Sequence, residues 1–225
     1  YEQNEGLITL ENKKLTISKN IMISIKVAGH QLYYFLPKTI VISLGQHVII
    51  TGAKKTGKTR LLNVIAGYYK DKVLIYSTNS KILANLGDNF GDGKQTDVHL
   101  IKELATGLHL VDLEKIPDDE IENWHMGDLN TRDKNLLTVL VMLYMGIKEP
   151  ERSRIMVFDE VLANIDDKNS EEILNFIMEK VNQIGATAIF VAHNQQELIR
   201  QYCLSEIVFE RTKEKVVVTQ TKLKK

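Results

Sequence analysis

The segment Gly52-Ala53-Lys54-Lys55-Thr56-Gly57-Lys58-Thr59 constrains this chain more than any other stretch. It fits the pattern G-x-x-x-x-G-K-[ST] in full. The apolar run His47-Val48-Ile49-Ile50 precedes it and ends in Thr51-Gly52. Arg60 to Tyr69 follows, with Leu61, Leu62, Val64, Ile65 and Ala66 on a helical pattern. A strand, a glycine-bearing turn and a helix in that order set backbone N–H groups at a helix N-terminus, where they cradle phosphate oxygens. Lys58 is then expected to reach the β- and γ-phosphates of a nucleoside triphosphate, and the Thr59 hydroxyl to ligate Mg²⁺. The expected ATP-binding segment runs from Gly52 through Arg60.

Two further runs end in residues that could act on such a ligand. Ile155-Met156-Val157-Phe158 is continuously apolar, as in a strand buried on both faces, and is followed by Asp159-Glu160. A carboxylate at the C-terminal end of a buried strand lies where open α/β sheets bind ligands. Asp159 is expected to hold Mg²⁺ through water, and Glu160 to polarise an attacking water. Thr187-Ala188-Ile189-Phe190-Val191 is a second such run, and Ala192 and His193 follow it. The His193 imidazole could hydrogen-bond the γ-phosphate there.

Bulk properties bound the alternatives. A chain of 225 residues fits one α/β domain, with or without a small subdomain. Lys+Arg and Asp+Glu each number 29, so no global basic field points to nucleic acid. Cys203 is the one cysteine, which excludes an internal disulfide and fits a reducing compartment. Its apolar setting suggests a buried core thiol. The longest apolar run, Leu136 to Ile147, is shorter than the about 20 residues a membrane helix needs, and reads as a buried helix. The chain begins at Tyr1 and not at Met, which suggests a piece or processed product of a longer protein, with any membrane-spanning part outside it.

Residues 7–50 carry short β-branched runs (Leu7 to Leu10, Leu15 to Ile17, Ile21 to Val27, Thr39 to Ser43) and suggest an antiparallel β region. Val73 to Tyr76 looks like another strand. Residues 97–123 suggest two short helices joined near Pro117. Asn130 to Met145 suggests a long helix with Asn130 as N-cap and Asp133 three positions on. Asn169 to Ile184 is an amphipathic pattern closed by Gly185. Gln195 to Tyr202 suggests a helix, and Glu206 to Glu210 with Val216 to Thr221 a terminal strand pair. Strand, loop, helix, insertion, helix, strand, helix, strand predicts a mostly parallel sheet with helices outside.

Together Gly52 to Thr59, Asp159-Glu160, Asn164-Ile165-Asp166 and His193 resemble the ATPase domain of an ABC transporter, over nearly the whole chain. The resemblance implies a P-loop NTPase core with an N-terminal antiparallel β subdomain and an inserted helical subdomain. On that pattern residues 7–76 and 150–225 form the core with its β subdomain, and 77–149 the helical part, all within a single domain, 1–225. It implies Glu160 as the catalytic Glu, Leu162 to Asp166 as the D-loop and His193 as the switch histidine. It implies ATP and Mg²⁺ as ligands, a second ATPase domain and a transmembrane domain as partners, and a place at the cytoplasmic face of a membrane. Leu83 to Phe90 resembles the exporter pattern T-I-x-E-N-I, and Trp124 resembles the branch that includes peroxisomal fatty-acyl exporters.

The chain also departs from that pattern. The family signature L-S-G-G-Q aligns with Leu129-Asn130-Thr131-Arg132-Asp133, where side chains replace both glycines. Sliding the alignment to Met126-Gly127-Asp128 recovers one Gly but shifts the helix register. The glutamine expected to contact Mg²⁺ near Ser77-Thr78-Asn79 is missing, and Asn79 is the nearest amide. Tyr33, Tyr34 and Phe35 are candidates to stack on adenine, or core aromatics. Weak hydrolysis, a regulatory ATP-binding subunit and a DNA-repair ATPase of the same superfamily therefore stand as alternatives to an active exporter ATPase.

Overall fold

The structure, a computed structural model, describes residues 6–68, 83, 85–91, 95–127, 129–151 and 155–224. Its strands are β1 Ile8–Glu11, β2 Lys14–Ile17, β3 Ser24–Val27, β4 His30–Phe35, β5 Ile40–Ser43, β6 Val48–Gly52, β7 Ile155–Asp159, β8 Thr187–Val191, β9 Ser205–Arg211 and β10 Lys215–Lys222. Its α-helices are α1 Lys58–Tyr68, α2 Val98–Gly107, α3 Val111–Glu114, α4 Thr131–Lys148, α5 Asp167–Ile184 and α6 Gln196–Arg200. The strand expected at Val73 to Tyr76 and the Mg²⁺ ligand expected at Asn79 lie outside the described residues.

A seven-stranded sheet in the order β3-β4-β10-β9-β6-β8-β7 forms the centre. It is parallel at β4–β10, β9–β6, β6–β8 and β8–β7, and antiparallel at β3–β4 and β9–β10. The central strands are apolar throughout because each faces two cores. Val48, Ile50, Val157, Ile189 and Val191 pack with α1, the β3–β4 hairpin and the small sheet. Ile49, Met156, Phe158, Ala188 and Phe190 pack with α4 and α5 on the other face. Alternate residues of a strand point to opposite faces, so continuous hydrophobicity is what this sandwich demands. Phe158 and Phe190 stack at 5.1 Å between centroids. Cys203 is buried in the second core, as expected.

The N-terminal residues form the expected antiparallel β structure, but its strands divide between two sheets. β1, β2 and β5 make a separate three-stranded antiparallel sheet, whereas β3 and β4 join the edge of the large sheet through β10. The reason is the burial of Ile25, Leu32 and Tyr34, which places the hairpin over α1. Strand β4 was not anticipated. The α2–α3 break falls at Leu108 to Leu110, with His109 at φ 57°, and not at Pro117. Pro117 instead caps the 3₁₀ turn Asp118–Glu120. The long helices match the expectation closely: Asn130 caps α4 by accepting from Asp133 N–H at 2.8 Å, and Gly185 closes α5 in the left-handed region.

Candidate active site

The C-terminal ends of β6, β7 and β8 lie level, since Ile50 and Asp159 both pair with Val191. The loops that leave these ends converge. Lys54 to Thr59, Asp159, Glu160, Val191 and His193 line one cavity of about 300 Å³. Three separated sequence runs thus meet at one sheet edge, where ligands bind in open α/β sheets.

The phosphate loop is tightly built. Gly52 has φ 136°, and a Cβ there would stand 2.3 Å from the Phe209 carbonyl oxygen. Gly57 has φ 83°, and its Cβ would meet the Tyr34 hydroxyl at 2.2 Å. Both positions exclude side chains by conformation and by space. Tyr34 donates to the Gly57 carbonyl at 2.6 Å, and burial pushes its phenol pKa up. Thr56 donates to the Ala53 carbonyl at 2.8 Å. Lys58 folds back onto the loop, donating to the Gly52 and Ala53 carbonyls at 2.8 and 2.7 Å. Burial lowers its pKa, opposed by the fields of Glu160 and Asp159. Lys54 and Lys55 are exposed. Arg60 lies outside this cavity and donates from Nε to the Ser24 carbonyl at 3.1 Å.

At the end of β7, Asp159 Oδ2 stands 3.4 Å from the Thr59 hydroxyl. Two oxygen donors of the kind Mg²⁺ prefers therefore converge beside the loop. Glu160 adopts φ 54°, a conformation uncommon for a residue with a side chain and often found at functional sites. Its N–H donates to the Val191 carbonyl at 2.9 Å, and its Oε1 accepts from the His193 N–H at 2.9 Å. The His193 Nε2 lies 3.6 Å from the same oxygen. Burial raises the Glu160 pKa, and the nearby His193 opposes this.

Other expected residues lie elsewhere. Asp166 caps α5, accepting from the Asn169 N–H at 3.0 Å, and these bonds with Asn169 lower its pKa. Leu129 to Asp133 does not line the loop cavity. The Asn130 side chain is occupied with capping α4 on the Asp133 N–H, Thr131 is exposed at its start, and Arg132 keeps a buried Nε without a hydrogen-bond partner. Of the three aromatic candidates, Tyr34 is buried, while Tyr33 and Phe35 are 56% and 45% exposed and line neither the loop cavity nor the cleft beside it. Only Tyr34 is therefore a core aromatic. Its contact with Gly57 was not foreseen; the alternation of Leu32 and Tyr34 was the available signal.

No family model matches the chain. It is 26% identical over 177 residues to a spermidine/putrescine import ATP-binding protein of Thermotoga maritima, an alignment that spans 70% of this chain and 47% of that protein. The chain thus spans about half the length of that relative. Among solved structures it resembles a bacterial Atm1-family ABC exporter with ATP bound, with TM-score 0.63 and 15% identity over 93% of this chain and 38% of that one. It also resembles a dimeric ATP-binding cassette in a post-hydrolysis state with ADP and phosphate, with TM-score 0.61 and 18% identity over 93% of this chain and 99% of that one. In sequence the chain resembles ABC transporter ATP-binding proteins, and it shares the fold of the ABC ATPase domains.

Proposed function

Starting from that fold and an intact phosphate loop, we propose that the chain binds ATP with Mg²⁺ on Gly52 to Arg60 and hydrolyses it as the ATPase domain of an ABC transporter, of exporter type. The observation that carries this reading is the pairing of Glu160 with His193 beside Lys58 and Thr59, in one cavity. In the proposed reaction Lys58 exchanges the Gly52 and Ala53 carbonyls for phosphate oxygens. The loop N–H groups, at the N-terminus of α1, hold the remaining phosphate charge. Thr59 and Asp159 would hold Mg²⁺, which supplies charge neutralisation on the phosphates when bound. Glu160, oriented by the His193 N–H, accepts a hydrogen bond from the attacking water. His193 contacts the transferred phosphoryl group.

The domain works as one of a pair, with Leu129 to Asp133 facing the ATP of the second domain, and a transmembrane partner uses the closing and opening. It sits at the cytoplasmic face of the membrane. No helix among the described residues is long and apolar enough to cross a membrane. Thr131 and Arg132, in place of two glycines, favour slow turnover. They also support a second reading, a regulatory ATP-binding subunit that does not hydrolyse.

Phosphate release from the wild type, compared with that from Glu160→Gln, decides between the two. Steady-state phosphate release with Mg-ATP should fall by at least about a hundredfold, while the Kd for ATP stays within about threefold. Turnover that is unchanged in the variant removes Glu160 from the mechanism. Absence of phosphate release from the wild type, at unimpaired binding and with a partner domain present, supports the regulatory reading.

A further inference from the structure

The peptide that joins Ala192 to His193 is held at both of its ends. Its N–H, on His193, donates to the Glu160 carboxylate at 2.9 Å. Its carbonyl, on Ala192, accepts from the Gln196 side-chain amide at 3.0 Å. A peptide is planar, so a donor that fixes the carbonyl also fixes the direction of the N–H. Gln196 therefore helps to aim the bond that orients Glu160, although it does not itself line the cavity over the phosphate loop. The backbone makes this return possible. Gln195, between His193 and α6, adopts φ 56° and is tied by its own amide to Asp167 at 2.8 Å. A left-handed residue with a long side chain is strained, and here it turns the chain so that Gln196 lies back over Ala192.

Gln196 is held in turn. Its Oε1 accepts from Arg200 Nη2 at 3.1 Å. Arg200 Nε donates to Glu206 Oε1 at 2.6 Å, and Glu206 Oε2 accepts from the Thr51 hydroxyl at 2.8 Å. Thr51 is buried and directly precedes Gly52, the first residue of the phosphate loop. The Ala192 N–H also donates to the Ile50 carbonyl at 3.2 Å, so the ends of β6 and β8 are joined twice, by main chain and by side chains. One run of hydrogen bonds thus leads from Thr51 through Glu206, Arg200, Gln196 and the 192–193 peptide to Glu160. Its polarity is fixed at each link. A guanidinium only donates and a peptide carbonyl only accepts, which leaves the Gln196 amide a single orientation. The bond from Arg200 holds the Glu206 carboxyl below its ordinary range and keeps it ionised. Bonds in such a chain polarise one another, so a donor on the Ala192 carbonyl also strengthens the His193 N–H as a donor.

Building on the reading of Glu160 as the group that orients the attacking water, we propose that Gln196 is a positioning residue for hydrolysis, held in place by Arg200, Glu206 and Thr51. Steady-state phosphate release gives kcat for Mg-ATP, and calorimetry its Kd, in the wild type, Gln196→Glu, Thr51→Val, Thr51→Ser and the double variant Gln196→Glu/Thr51→Val. Gln196→Glu keeps the size and the acceptor for Arg200 but removes the donor to the Ala192 carbonyl. It should lower kcat about tenfold, the weight of one hydrogen bond. Its Kd should stay within about threefold of the wild type. Thr51→Val should lower kcat about threefold, and Thr51→Ser, which keeps the hydroxyl, should not. In the double variant kcat should be no lower than in Gln196→Glu alone, because the run is already cut beside the peptide. A Gln196→Glu variant with wild-type kcat overturns the inference. So does one that loses affinity for Mg-ATP as strongly as turnover, which would mean a merely structural role, and so does a double variant whose losses multiply. Should Gln196→Glu fail to fold, Thr51→Val against Thr51→Ser decides by the same readings. Absence of turnover in the wild type overturns the hydrolysis reading itself, whereas turnover that Gln196→Glu and Thr51→Val both leave intact overturns only the inference.

Discussion

Glu160 combines a left-handed backbone, a half-buried carboxyl and a direct bond to the chain beyond β8. Such a residue costs stability of order 1–3 kcal/mol in backbone strain alone, so its placement implies a task. Its pKa is raised from 4.5, chiefly by burial. Only the ionised carboxylate can draw a proton from the water, and a raised pKa means that protonation begins at higher pH. Activity should therefore fall on acidification, and the acidic limb of a kcat/KM–pH profile, which reports the free enzyme, should lie above the ordinary carboxylate range over the pH span in which the fold stays intact. An acidic limb within or below that range contradicts the assignment. At this scale the sequence was informative about position where a titratable residue follows an apolar run, as for Asp159, Glu160 and His193, which share one cavity. It was silent on Tyr34, whose contact with Gly57 exists only once the hairpin has folded over the loop. Asp166 was legible as part of a motif but not as the cap of α5.

Among elements, the join of β6 to α1 is the most tightly specified, because Gly57 must accept both a positive φ and the Tyr34 ring. Gly57→Ala should destabilise the domain by about 2–4 kcal/mol in denaturant unfolding. Tyr34→Phe alone removes one hydrogen bond, about 1 kcal/mol. In the Tyr34→Phe background the alanine should cost less than in the wild type, because the hydroxyl it strikes is gone. Additive costs would mean that strain, and not the Tyr34 contact, sets the position. The helices were legible because their caps are local: Asn130 with Asp133, and Gly185. β4 was not, because Tyr33 and Phe35 on its exposed face blur the alternation that marks a half-buried strand. The α2–α3 break was misplaced for a related reason. Pro117 is the louder local signal, while the turn at His109 is held from outside by Asn169 of α5, at 3.1 Å.

At the scale of the molecule, two hydrophobic cores on opposite faces of one sheet fix the levels of β6, β7 and β8, and that levelling assembles the site. The alternating burial of three continuous apolar runs could be anticipated. The splitting of the N-terminal strands between two sheets could not, since it depends on which face α1 covers. The most direct measurement of the whole account is a titration of Mg-ATP into the intact domain and into Lys58→Ala. The account predicts one site per chain in the wild type and at least about a tenfold loss of affinity in the variant, as expected for a charge-assisted bond to phosphate. A variant that melts with the wild type yet binds Mg-ATP equally well, or a wild type that does not bind it, would contradict the account.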